Sequence, residues 1–275
     1  MEQLSGLDAS FLYLETPNQP MHIGALAVYD PSTAPGGFVR FKDILATIES
    51  RLHLARTFRQ RVVRVPFDLD HPWWVNDPEF DLEFHVRHIA LPRPGDWRQL
   101  CIQTARLHAR PLDTSKPLWE FYVVEGLEQV GGLPPGSFAI VSKIHHAAID
   151  GVSGAEITGA IHDLAPDTHV PPPTEPWIAD REPLTAELLV RTWLNNVRQP
   201  LRFARVLADT VPAVARVTEG LRNERFRTPG AAPRTRFNGT ISPHRVVDGR
   251  SFPLEVLRGI RQAVPGATIN DVVLA

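Results

Sequence analysis

The stretch that most restricts the fold is Phe138-Ala-Ile-Val-Ser-Lys-Ile-His145-His146-Ala-Ala-Ile-Asp150-Gly151-Val-Ser-Gly154. Ile140, Val141 and Ile144 favour a buried strand, because β-branched side chains fit a pleated, packed surface. Asp150-Gly151 breaks that strand, and Ala155-Glu-Ile-Thr-Gly-Ala-Ile-His-Asp-Leu164 then carries a helical pattern. Adjacent side chains on a strand point to opposite faces. If the strand runs through both histidines, one serves the fold and the other is free to face a cleft. Asp150 lies just past the turn, near enough to order the loop that positions His146.

A neutral imidazole at a strand end is a good general base near neutrality, since its unperturbed pKa is about 6.5. It can deprotonate an alcohol or amine directly, without a Ser or Cys nucleophile. The plainer reading is a buried structural histidine beside a helix-capping aspartate, and a lone histidine would be read that way. Paired histidines followed by Asp-Gly at this spacing, between a strand and a helix, favour the functional reading.

His145-His146-Ala-Ala-Ile-Asp150-Gly151 resembles the HHxxxDG signature of the CoA-dependent acyltransferases with the chloramphenicol-acetyltransferase-like fold. Within that group the chain is similar to the bacterial wax ester synthase/diacylglycerol acyltransferases. The further matches are Leu4-Ser-Gly-Leu-Asp-Ala-Ser-Phe-Leu-Tyr13 with Met21-His-Ile-Gly-Ala25, Arg110-Pro-Leu-Asp113 with Lys116-Pro-Leu-Trp-Glu120, and Thr268-Ile-Asn270-Asp271-Val-Val-Leu-Ala275. They run over essentially the whole chain in the family's order. The resemblance implies an α/β two-layer sandwich with a mixed sheet, and transfer of a long-chain acyl group from acyl-CoA to diacylglycerol or a long-chain alcohol. It implies His146 as general base, Asp150 as mainly structural, and His145 as structural or supporting. Gly151, Asn270 and Trp119 are the candidate substrate-binding residues. For Asn270, donation to the oxyanion and helix capping are equal readings; for Trp119, core packing is the plainer alternative to lining a tunnel. No metal is expected, because no third ligand at convincing spacing accompanies His146 and Asp150. No cofactor is expected beyond acyl-CoA as co-substrate.

Composition narrows the partners. A net charge of −2 over 275 residues gives no field for nucleic acid, so no nucleic-acid partner is expected. The single Cys101 rules out a disulfide framework within one chain and suits a reducing compartment. No run resembles a signal peptide or approaches the roughly 20 apolar residues that span a bilayer. A cytoplasmic protein is expected, with any contact at a membrane or lipid-body surface peripheral.

Strands are predicted over residues 21–29, 61–66, 84–91 and 119–124, and helices over 41–53 and 97–107. Trp73, Trp74 and Asn76-Asp-Pro78 mark a turn-rich connection. Together these predict a layered α/β domain over 1–165. The prolines of 166–183 predict an extended crossover linker. Residues 184–275 then hold a helical segment over 184–217, interrupted near Pro200 and Pro212, and the beginning of a second domain. On that segment Leu188, Trp193, Leu194 and Val197 form an apolar stripe, and Arg191, Arg198, Arg202 and Arg205 a basic one. Contact with an anionic membrane surface is one use of such a helix. A packed helix with a solvated basic face is the commoner arrangement and is preferred.

The basic stretch 219–236 reads as a mobile loop, and strand signals resume at Thr240-Ile241 and Arg245-Val-Val247. Residues 254–260 read as a helix, and Thr268 or Asn270 as the cap of the last one. Ending within an apolar helix, the chain is expected to lack a C-terminal half, either as a truncated or proteolysed product or as one of two fragments that remain associated. Two alternatives are carried: a condensation-domain-like N-acyltransferase that shares HHxxxDG, and a non-catalytic lipid- or CoA-binding protein.

Overall fold

The computed structural model describes residues 1–149, 157, 159–165, 170–222, 233–235 and 238–275; between 198 and 221 it describes side chains only at 210, 211, 214, 216, 218 and 219. The described chain divides into two compact units, Met1–Arg245 and Val246–Ala275. The first unit is organised on a four-stranded mixed sheet ordered β2–β7–β6–β5. Its strands are β2 (His22–Tyr29), β7 (Phe138–His145), β6 (Trp119–Glu125) and β5 (Val86–Ala90). β7 is antiparallel to both neighbours, and β5 runs parallel to β6. A smaller antiparallel sheet, β1–β4–β3, joins β1 (Glu2–Gln3), β4 (Trp73–Asn76) and β3 (Gln60–Val63).

Strand alternation divides the main core in two. On one face Trp119, Phe121, Val123, Phe138, Ile140 and Ile144 pack against α1 (Gly6–Leu14) and α2 (Phe41–Glu49). On the other, Tyr122, Val124, Ala139 and Val141 meet Leu100 and Leu107 of α4 (Trp97–His108). Asp96 caps α4 by accepting the Gln99 amide, as an N-terminal aspartate should. Gly24 lets this helix sit close to β2: a Cβ there would lie 2.7 Å from His108 Nδ1.

Several sequence expectations are revised. Trp73–Asn76 is a strand, with Asn76 and Asp77 ending it rather than filling a longer turn. Phe84 and His85, the first two residues of 84–91, belong to a short helix, α3 (Leu82–His85), which Asp81 caps. α5 (Thr185–Arg222) runs through Pro200 and Pro212 without ending; a proline removes one backbone donor, and a long helix absorbs this by bending. The expected loop over 219–236 begins as helix to Arg222, and most of its remainder lies outside the described residues. Among the described residues, Thr240-Ile241 and Arg245-Val-Val247 lie in no strand. α5 also belongs to the first unit, where the sequence suggested a new domain at 184: Leu188 is buried against Val65, Trp73 and Val75.

The described part of 166–183, residues 170–183, lies in no helix or strand. Of the helix predicted over 155–164, residues 157 and 159–164 are described: 157 and 159–161 are helical, and the helix ends there, with 162–164 outside it. The second unit comprises α6 (Leu254–Ala263) and α7 (Ile269–Leu274).

Candidate active site

The fragments 4–13, 21–25 and 110–120 quoted from the sequence meet at the end of β7. The His145 amide donates to the Leu118 carbonyl at 3.0 Å, and the His146 amide to the Met21 carbonyl at 2.8 Å. A 3-10 turn, His146–Ala148, then carries the chain off the sheet. Two neighbouring strands therefore hold the two histidines by backbone, independently of their rings.

The rings differ. His145 is 0% exposed. Its Nδ1 accepts the Ala147 amide at 3.0 Å, so the neutral ring carries its proton on Nε2. That nitrogen faces Glu15 Oε2 at 3.5 Å. Burial pushes the His145 imidazole below its ordinary pKa, against the opposing pull of Glu15. His146 is half-buried, and its ring stacks on Phe11 of α1 with centroids 4.8 Å apart and planes 19° from parallel. A cavity of about 520 Å³ reaches the turn at Ala147 and Ala148; Leu4, Arg56 and Ile157 also line it, and His146 does not.

Beneath the turn lies a buried polar cluster that sequence reasoning did not single out. Lys143 is 0% exposed; its Nζ donates to the Arg110 carbonyl at 2.7 Å and to Glu120 Oε2 at 3.4 Å. The Tyr122 hydroxyl donates to the same carboxylate at 2.7 Å, and burial with this bond pushes its pKa up to about 12. Burial pulls the Lys143 ammonium below its usual range, partly offset by Glu120. His22 pairs across from His145 on β2, and its Nε2 donates to the His108 carbonyl at 2.8 Å. Burial, then the Lys143 charge, pushes His22 down to about 4.

The remaining candidates are dispersed. Asp150 and Gly151 lie outside the described residues. Trp119 is 0% exposed, its Nε1 donates to the Phe58 carbonyl at 3.0 Å, and its ring stacks on His85 at 4.5 Å. It is core, with no surface left for a substrate. Thr268, not Asn270, caps α7, in a reciprocal box with Asp271. Asn270 is exposed in the second unit. No group of three or more potential metal ligands occurs among the described residues.

Phe11, Glu15, His22 and Lys143 are contacts that sequence reasoning missed as site residues. Phe11, His22 and Lys143 fall inside the quoted stretches, which was the one available signal.

A mixed-sheet α/β unit with a His-His turn at the end of a central strand defines a recognisable class of fold. Residues 4–273 match the wax ester synthase/diacylglycerol acyltransferase catalytic domain, and the chain belongs to that family. A protein of Mycobacterium tuberculosis (strain CDC 1551 / Oshkosh), provisionally named a diacylglycerol O-acyltransferase, is 34% identical over 276 residues, covering 100% of this chain and 53% of its own. A second from that strain, tgs3, carries the same provisional name; it is 37% identical over 269 residues, 94% of this chain and 95% of its own. The solved wax ester synthase/diacylglycerol acyltransferase of Marinobacter aquaeolei VT8 has a TM-score of 0.60 at 30% identity, covering 98% of this chain and 57% of that one. The chain thus spans about half the length of the first curated relatives it matches.

Proposed function

We propose that this chain carries the general-base half of an acyl-CoA-dependent O-acyltransferase site, with diacylglycerol or a long-chain alcohol as acceptor. The observation that carries the reading is the contrast at the end of β7, within a chain of this family. His145 is sealed into the fold, whereas His146 keeps accessible surface on a turn fixed by its backbone. His146 takes the acceptor's hydroxyl proton as its oxygen attacks the thioester carbonyl. The imidazolium then returns that proton to the departing CoA thiolate. A thiol pKa near 8.5 lies far below that of an alcohol, so the tetrahedral adduct expels thiolate in preference to alkoxide. The developing oxyanion needs donors, each worth about 3 kcal/mol. Asp150, following the family motif, orders the loop.

Among the described residues no helix is long and apolar enough to cross a membrane. Greasy acceptors would be met at a lipid surface, a contact for which α5 exposes Val190, Trp193, Leu194 and Val197.

The test is a substrate panel: palmitoyl-CoA with diolein, hexadecanol and hexadecylamine, reading CoA release and product by mass spectrometry. Ester formation with little amide is expected. Amide as the main product would move the chain to the condensation-type reaction, and no product with any acceptor would leave a binding protein.

A further inference from the structure

Glu15 follows α1 directly, and its carboxylate reaches two donors at once. Oε1 accepts the Met21 amide at 3.2 Å, while Oε2 lies 3.5 Å from His145 Nε2. Both donors lead to the turn that carries His146. The Met21 carbonyl accepts the His146 amide, and His145 Nδ1 accepts the Ala147 amide. His145 Nε2 is buried and has no closer hydrogen-bond partner among the described residues. A buried N–H left without an acceptor costs about 1–3 kcal/mol, so the carboxylate beside it is the group that can meet this need.

We propose that Glu15 is a positioning residue for acyl transfer, clamping the Met21 backbone and the His145 ring so that the turn presents His146 in one orientation. The inference rests on the general-base reading of His146 but makes a separate claim. Its chemistry is specific to a carboxylate. Two donors point at Glu15, and a carboxylate offers an acceptor oxygen to each. A glutamine offers one oxygen and one NH2, so it satisfies one donor and opposes the other. Aspartate keeps both oxygens but is one methylene short.

The experiment compares wild type, Glu15→Gln and Glu15→Asp in the full chain. Glu15→Gln should lower kcat about 10- to 100-fold, the scale of a misplaced reacting group, with KM for palmitoyl-CoA within about twofold. Amide exchange at Met21 and His146 should accelerate in the same variant, since that hydrogen-bonded path has been opened. Glu15→Asp should recover part of kcat. Wild-type kcat and wild-type exchange in a folded Glu15→Gln would overturn the proposal. A second measurement needs no variant: two-bond 1H–15N correlations on histidine-labelled wild type should show His145 protonated on Nε2 alone. A proton on Nδ1 would overturn it even if every Glu15 variant failed to fold. Loss of activity in His146→Ala beside an indifferent Glu15→Gln would sink the positioning claim and leave the base assignment standing; an inactive wild type would remove the base assignment and the positioning claim with it.

Discussion

The two faces of the β2–β7–β6–β5 sheet share strands and differ in chemistry. Trp119, Phe121, Phe138, Ile140 and Ile144 make one face mainly apolar, with Ser142 and His88 its polar members. Towards the histidine end, the opposite face buries Lys143, Glu120, His22 and His145. Lys143 and Ile144 are consecutive yet obey different rules. Apolar packing degrades gradually as shape changes, whereas a buried polar cluster depends on each partner because an orphaned charge or donor is costly. The strand that delivers the histidines is therefore anchored by the forgiving face and oriented by the exacting one.

That contrast is open to attack, most sharply through Glu120. Glu120→Ala strands the buried Lys143 ammonium and should destabilise the fold by about 3–5 kcal/mol, measured by chemical denaturation. Pairing it with Lys143→Met should recover most of the loss, since an apolar replacement of both charges is often neutral. A loss in Glu120→Ala no larger than that of an apolar-face truncation would break the contrast.

Acid should act next. Burial holds His22 at about 4 against an ordinary 6.5, and pushes His85, His108 and His145 in the same direction. Between those pH values the unfolded chain binds protons that the fold refuses. Stability from these groups is thus complete above about 6.5 and falls as pH drops towards 4. Thermal midpoints across that window should decline, with a shallower slope in His22→Gln; a flat wild-type profile would contradict the buried neutral rings. The smallest effect belongs to the apolar face: Ile144→Val should cost about 1 kcal/mol and leave the acid profile unchanged.

The sequence made the apolar face legible and left the polar one hidden. β2, β6 and β7 announce themselves through runs of β-branched and aromatic residues, and α4 through its spacing and Asp96 cap. β7 ends at His145, so strand parity does not separate the two histidines; His146 was marked as the base by the family resemblance, and both were visible in the sequence. Glu15 and Glu120 were not, because a single carboxylate carries no local pattern and its partner is chosen by long-range register. β4 was missed because Asn76-Asp77-Pro78 signals a turn more strongly than two tryptophans signal a strand. α1 went unread as a helix although Ser5 and Asp8 form its cap, since Gly6 and its mixed apolar pattern obscure the period.

The most direct measurement is single-turnover CoA release from palmitoyl-CoA with diolein, comparing wild type with His146→Ala at matched folded fraction. Removal of a general base predicts a fall in rate of about 10²- to 10⁴-fold, with the thermal midpoint little changed because the ring is not part of the sealed core. Turnover within a few-fold of wild type would contradict the assignment of His146 as the base.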